Sequence, residues 1–250
     1  METQTIIETD GLTKIYNGDT AVDHLTFAVS EGEIFGFLGP NGAGKTTTLL
    51  MLLGLTEPTS GTAKVLGLDP TREPIKVKSR IGYLQENMGF YNDLTAFQML
   101  RFVAALNGIS GNEAGHRIQN ALESVGLASE SLKKIGAYSR GMRQRLGLAE
   151  LLIKDSKVAF LDEPTLGLDP DATNRIMELI EGLSREKKMT ILLSSHMLNQ
   201  VQKLCHRVGI MIKGRMVAQG SMDRLAQEKL GIGQDKYTLE ELYMKYFQEA

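Results

Sequence analysis

Two groups of residues in this 250-residue chain can do phosphate chemistry. Gly39-Pro40-Asn41-Gly42-Ala43-Gly44-Lys45-Thr46 fits G-x-x-x-x-G-K-[ST] and runs on through Thr47 into a helical stretch. The glycines let successive amide N–H groups curl toward anionic oxygens, and the helix start adds partial positive charge. Lys45 would reach the β- and γ-phosphates, and the Thr46 hydroxyl would ligate Mg²⁺. The bland reading is a glycine turn before a solvated lysine. Far downstream, Asp162-Glu163-Pro164 closes the apolar run Lys157 to Leu161. Two carboxylates at the carboxyl end of a buried strand stand where ligands bind in open α/β sheets. Asp162 is the natural metal-side group, and Glu163 can orient and deprotonate the water that attacks the γ-phosphorus. Alone, such a pair is a solvated loop or a helix cap; together with the upstream loop it points to hydrolysis. No Asn-Lys-x-Asp guanine-reading pattern occurs, which favours ATP over GTP.

These residues need a scaffold that brings them together. Thr5 to Thr9, Val22 to Val29 and the apolar Ile34 to Leu38 read as strands, the last leading into the phosphate loop and a helix over Thr47 to Leu53. Between Thr95 and Leu152 the period turns helical, opened by a capping-box pattern at Thr95 and Gln98. Strand character returns at Lys157 to Leu161 and Thr190 to Leu193, around a helix striped by Ile176, Leu179, Ile180 and Leu183. That alternation predicts a parallel sheet. Gly231 to Asp235 reads as a hinge before a last helix capped by Thr238 with Glu241.

Composition narrows the class. Lys+Arg 28 against Asp+Glu 30 leaves a formal charge of -2, which gives phosphate backbones no global attraction and argues against a nucleic-acid partner. A lone cysteine, Cys205, cannot close an intrachain disulfide, in keeping with a reducing compartment. The acidic start, with Glu2, Glu8 and Asp10, does not read as a secretory signal. Nothing approaches the ~20 apolar residues that cross a bilayer, so a membrane role is expected to run through a partner.

With these motifs in order, the chain resembles the ATP-binding cassette ATPases, the nucleotide-binding subunits of ABC transporters. Tyr138-Ser139-Arg140-Gly141-Met142 is similar to the family's Leu-Ser-Gly-Gly-Gln signature, with Tyr138, Arg140 and Met142 as departures. Read from the residues alone, Ser139 is an N-cap. The resemblance implies that Ser139 and Gly141 of one subunit cover the γ-phosphate held by Lys45 of the other, in a homodimer or a heterodimer with a related cassette. It also implies Gln85 as the Q-loop residue touching Mg²⁺ and water, His196 as the switch histidine, and Tyr16 as the aromatic on adenine. Their bland readings are a solvated glutamine, a surface histidine and a strand tyrosine. Leu166-Gly167-Leu168-Asp169 resembles the D-loop, and equally reads as helix-start chemistry before Pro170. The implied fold is α/β, a mixed-sheet RecA-like core with an N-terminal antiparallel β-subdomain and a helical subdomain over about 95–152. Residues 1–230 would form the ATPase domain and 231–250 a linker and amphipathic helix.

The Leu239-Glu240-Glu241-Leu242-Tyr243 tail and the Tyr-Ser-Arg-Gly-Met signature resemble cassettes of drug, antibiotic, sodium or polysaccharide exporters. The implied function is ATP hydrolysis driving export through a separate transmembrane permease subunit. The chain would be cytoplasmic and peripheral on the inner face of the cell membrane. Met88, Phe90, Tyr91, Leu94 and Phe97 are apolar material for that docking or ordinary core. The alternative is a soluble cassette ATPase that remodels ribosomes or DNA, whose chains resemble tandem cassettes or carry long inserts and basic surfaces.

Overall fold

The computed structural model describes residues 4–230 and 238–248. The chain opens with two long antiparallel strands, β1 (Thr5–Tyr16) and β2 (Asp19–Ser30), whose alternating burial marks a sheet with one solvated face. The fully buried β3 (Ile34–Leu38) leads through the phosphate loop into α1 (Lys45–Leu52), two residues earlier than the sequence pattern places it. β4 (Ser60–Val65) returns to pair with β1 and completes a three-stranded sheet in the order β2-β1-β4. A short α2 (Pro74–Lys78) precedes β5 (Ile81–Leu84).

The helical stretch resolves into α3 (Ala96–Leu106), α4 (Gly111–Ser124) and α5 (Arg140–Ile153), with two single 3₁₀ turns before α5. The Thr95–Gln98 capping box is formed in both directions. The core then resumes with β6 (Val158–Asp162), α6 (Pro170–Lys187), β7 (Thr190–Ser195), α7 (Leu198–Leu204), β8 (Arg207–Ile212), β9 (Arg215–Gly220) and α8 (Met222–Leu230). α9 (Leu239–Gln248) follows, with the expected Thr238–Glu241 capping box at its start. The expected hinge at Gly231 to Asp235 lies outside the described residues.

The second sheet has the order β5-β6-β7-β3-β8-β9. Five strands are parallel, as the strand alternation predicts, and β9 runs antiparallel to β8, so the sheet is mixed, as the family resemblance implies. The parallel strands bring the carboxyl ends of β3, β5, β6 and β7 to one edge, where the loops that follow them meet.

Two cores hold that edge in place. Phe27 of β2 packs on Phe35 and Phe37 of β3, at ring centroids 5.6 and 4.9 Å, tying the antiparallel sheet and α1 to one face of the mixed sheet. On the other face, Leu84, Leu161 and Leu193 share a cluster with Leu146, Leu148 and Leu151 of α5 and with Ile176 and Ile180 of α6. Cys205 is buried there, its sulfur filling the space above Gly36 where a Cβ would come within 2.8 Å. The lone thiol is a core residue, and burial pushes its pKa up.

Candidate functional site

The phosphate loop folds as its glycines dictate. Gly44, the N-cap of α1, sits at φ 99°, and a Cβ there would meet the Ala21 carbonyl at 2.4 Å. A side chain at this position is therefore excluded twice, by backbone strain and by collision. No side chain caps α1, and its first turn carries no acid, so its leading N–H groups and their partial positive charge are left for an anion. Lys45 is buried and folds back over the loop, donating from Nζ to the carbonyls of Gly39 at 2.6 Å and Pro40 at 3.2 Å. Burial holds its ammonium below the usual lysine range, against the pull of Glu163 and Asp162.

β6 delivers the two carboxylates to the same place. Asp162 Oδ1 accepts from the hydroxyls of Ser194 at 2.5 Å and Thr46 at 3.3 Å. Thr46 and Asp162 thus present hard oxygen donors from two loops to one point, a donor set that suits Mg²⁺. Glu163 adopts a left-handed backbone, φ 48°, which is strained for a residue with a side chain. Its N–H is held by the Ser194 carbonyl at 3.1 Å and the Ser194 hydroxyl at 3.2 Å. The bend aims the carboxylate at the loop: Oε1 lies 3.7 Å from Lys45 Nζ, and Oε2 lies 2.9 Å from His196 Nδ1. Glu163 Oε1 is buried and makes no hydrogen bond among the described residues. That is the free acceptor a general base requires.

A cleft of about 290 Å³ opens over these groups, lined by Pro40 to Thr47, Tyr16, Ala21, Glu86 and Glu163. Tyr16 is 42% exposed, with the Lys14 ammonium 4.8 Å from its ring centroid, so one ring face has a cation and the tyrosine is no buried strand residue. Gln85 is exposed at the end of β5, outside the cleft lining, and its neighbour Glu86 lies within it. Ser139 and Gly141 are not in the lining either. Ser139 caps α5, its hydroxyl accepting from Met142 N–H at 3.2 Å, so the N-cap reading holds within one chain. Asp169 likewise caps α6, accepting from Ala172 N–H at 2.8 Å, with Pro170 in the first turn.

Three site residues escaped the sequence reading. Ser194 ties the Asp162 carboxylate to the Glu163 backbone N–H, Glu86 lines the cleft, and Tyr83 faces Asp162, with burial first and that carboxylate next pushing its hydroxyl up to about 12. The strand endings at β5 and β7 mark their neighbourhood, but serine and tyrosine at strand ends carry no pattern of their own. Of the five apolar residues between Met88 and Phe97, only Tyr91 is exposed, at 61%; the other four are partly buried against the core. Its exposed companion is Phe102 of α3, in edge-to-face contact at 6.1 Å.

The family profile described as ABC transporter matches residues 22–166. The chain is 43% identical over 221 residues to the bacitracin transport ATP-binding protein BcrA of Bacillus licheniformis, covering 88% of this chain and 71% of that one. It is 37% identical over 242 residues to the probable multidrug ABC transporter ATP-binding protein YbhF of Escherichia coli, covering 97% of this chain and 42% of that one. Among solved structures, one titled as the ATP binding subunit of an ABC transporter superposes with a TM-score of 0.86 at 29% identity, covering 97% of this chain and all of that one. This degree of likeness along the chain places it in the ABC transporter family as an ATP-binding subunit with ATPase activity.

Proposed function

We propose that the chain powers export through a separate transmembrane permease by closing, as a homodimer or with a related cassette, around two molecules of ATP. Lys45 and the amides of Gly42 to Thr47 hold the phosphates, and Tyr16 stacks on adenine. Thr46 and Asp162 hold Mg²⁺, with Gln85 joining when the loop after β5 moves inward. Mg²⁺ bound there neutralises charge on the β- and γ-phosphates. Glu163 orients the attacking water and takes its proton, and His196 fixes the Glu163 carboxylate and faces the γ-phosphate side. Ser139 and Gly141 of the opposite copy supply the lid, their helix start pointing at the γ-phosphate.

The observation that carries this reading is the buried, unbonded Oε1 of Glu163 beside Lys45, a catalytic acceptor held ready at the cleft. The exposed start of α5, standing outside its own chain's cleft, supports a lid that acts in trans. The exposed Tyr91–Phe102 pair supports a membrane-subunit contact beside the Gln85 loop, which would place the chain on the cytoplasmic face of the membrane. Among the described residues no helix is long and apolar enough to cross a bilayer itself. The bacitracin and multidrug names of the relatives support an exporter. Glu163→Gln protein run on size exclusion with MgATP tests the scheme. The expected result is an ATP-dependent dimer with hydrolysis abolished; a monomer at all nucleotide concentrations overturns it.

A further inference from the structure

Ser194, fully buried at the end of β7, makes a contact pattern that hydrolysis itself does not demand. Its one hydroxyl donates to Asp162 Oδ1 at 2.5 Å and accepts from the Glu163 N–H at 3.2 Å. A hydroxyl has one proton and lone pairs, so the two bonds are compatible and fix each other's direction. The Glu163 N–H keeps a second acceptor, the Ser194 carbonyl at 3.1 Å, if the hydroxyl is lost. Among the described residues Asp162 Oδ1 keeps the longer Thr46 bond, at 3.3 Å, and its carboxylate still faces the Tyr83 hydroxyl. Removing the hydroxyl therefore hurts the aspartate more than the glutamate backbone.

We infer that Ser194 is a positioning residue that sets the Asp162 carboxylate for Mg²⁺ and ties it to the strained backbone of Glu163. The inference rests on the assignment of Asp162 to the metal and Glu163 to the water made above. Two consequences follow from the geometry. With the hydroxyl bond in place the carboxylate cannot rotate about its χ2 without breaking a buried hydrogen bond, so its orientation precedes metal entry. With it gone, Thr46 is the hydroxyl still bonded to Oδ1 beside the facing Tyr83, and the Thr46 hydroxyl is the other expected metal ligand. Metal binding then competes with the contact that orients the carboxylate. Among the described residues Ser194 makes no hydrogen bond to Lys45 or to the loop amides, the groups assigned to the phosphates.

The test is Ser194→Ala, with Ser194→Cys as a second variant that fills the site with a larger side chain that is a poor donor. Affinity for a non-hydrolysable ATP analogue in EDTA is expected to stay within about threefold of wild type, which also shows that the variants are folded. Mn²⁺ affinity of the analogue-bound protein, read by electron paramagnetic resonance, is expected to fall by about tenfold, and kcat by about tenfold or more with little change in KM. Wild-type Mn²⁺ affinity in both variants overturns the inference. So does a metal-free nucleotide affinity that falls as far as the metal affinity, because that is general damage to the site. Turnover of Glu163→Gln, measured alongside, reads the underlying assignment separately: an active Glu163→Gln sinks that assignment, whereas the Mn²⁺ titration reads Ser194 alone.

Discussion

Two helix starts in this molecule are built for opposite purposes. α1 begins at Gly44 with no side-chain cap, inside the cleft, and with a buried lysine as its first residue. α5 begins at Ser139, capped by its own side chain, exposed, and away from the cleft of its chain. An uncapped helix start turns its N–H groups over to a ligand, whereas a capped one is satisfied by itself. Around the first, the chain supplies cation, acids and histidine from four separate loops. Around the second it supplies an N-cap, two nearby loop segments and solvent. Gly141 packs on Ala172 of α6, and a Cβ on Gly167 would strike the Arg140 guanidinium, so the signature segment is braced against the loop before α6. The first start is therefore open to an anion within the cleft, and the second is capped, braced and outside the cleft of its own chain; on the proposed scheme it meets the anion held by another copy.

The sharpest way to break that contrast is Glu163→Gln. Removing the base should lower turnover by roughly 100-fold or more while nucleotide affinity is retained, as measured by steady-state phosphate release and a nucleotide titration. Undiminished release would mean that the cleft lacks its assigned base. Next comes Lys45→Ala, which deletes the buried cation that lines the cleft. ATP affinity should weaken by about 10- to 100-fold, the value of a charge-assisted contact to phosphate, and a titration at wild-type affinity would remove Lys45 from that role.

Smaller effects sharpen the second region. Ser139→Ala removes the α5 cap and should cost about 1 kcal/mol in denaturant unfolding, with no change in ATP affinity of the isolated monomer. A monomer with weakened ATP binding would mean that Ser139 serves its own chain's cleft. Glu150, also on α5, is desolvated, with Oε1 making no hydrogen bond among the described residues, and burial pushes its pKa from 4.5 up to about 7. Between those two values the folded chain holds more protons at this group than the unfolded chain, so its contribution to stability falls as pH rises from about 4.5 to 7. Glu150→Gln should raise the Tm at pH 8 by a few degrees and leave it nearly unchanged at pH 4.5. An equal gain at both pH values would show that charge on Glu150 is not the cause.

Legibility followed the kind of signal each residue carries. The phosphate loop was readable because a fixed spacing of glycines, lysine and threonine is the chemistry, and the preceding strand Ile34–Leu38 is an unbroken apolar run. The capping boxes at Thr95 and Thr238 were equally plain, since both partners lie three residues apart. β4, α2, β8 and β9 carry weaker patterns and went unassigned, and the antiparallel turn of β9 onto β8 is made at the Lys213-Gly214 corner; the two strands on which the alternation rested, β6 and β7, do pair in parallel. Of the apolar residues after Gln85, the sequence could not say which face inward: helix and loop packing buries four against the core and leaves Tyr91 out with Phe102.

By itself the chain's order of residues determined that it carries a phosphate-loop pattern between a strand and a helix and an acid pair at the end of another strand, because those features are written in short, local spacings. Only the tertiary structure decided that Thr46, Asp162 and Ser194 meet across separations of 116 and 32 residues, that Glu163 bends into a left-handed backbone toward His196, and that Ser139 lies outside its own cleft. The reason is physical: hydrogen bonds between distant segments depend on strand order and on which loops share an edge of the sheet, and strand order is set by the burial of two whole cores, which no local spacing encodes.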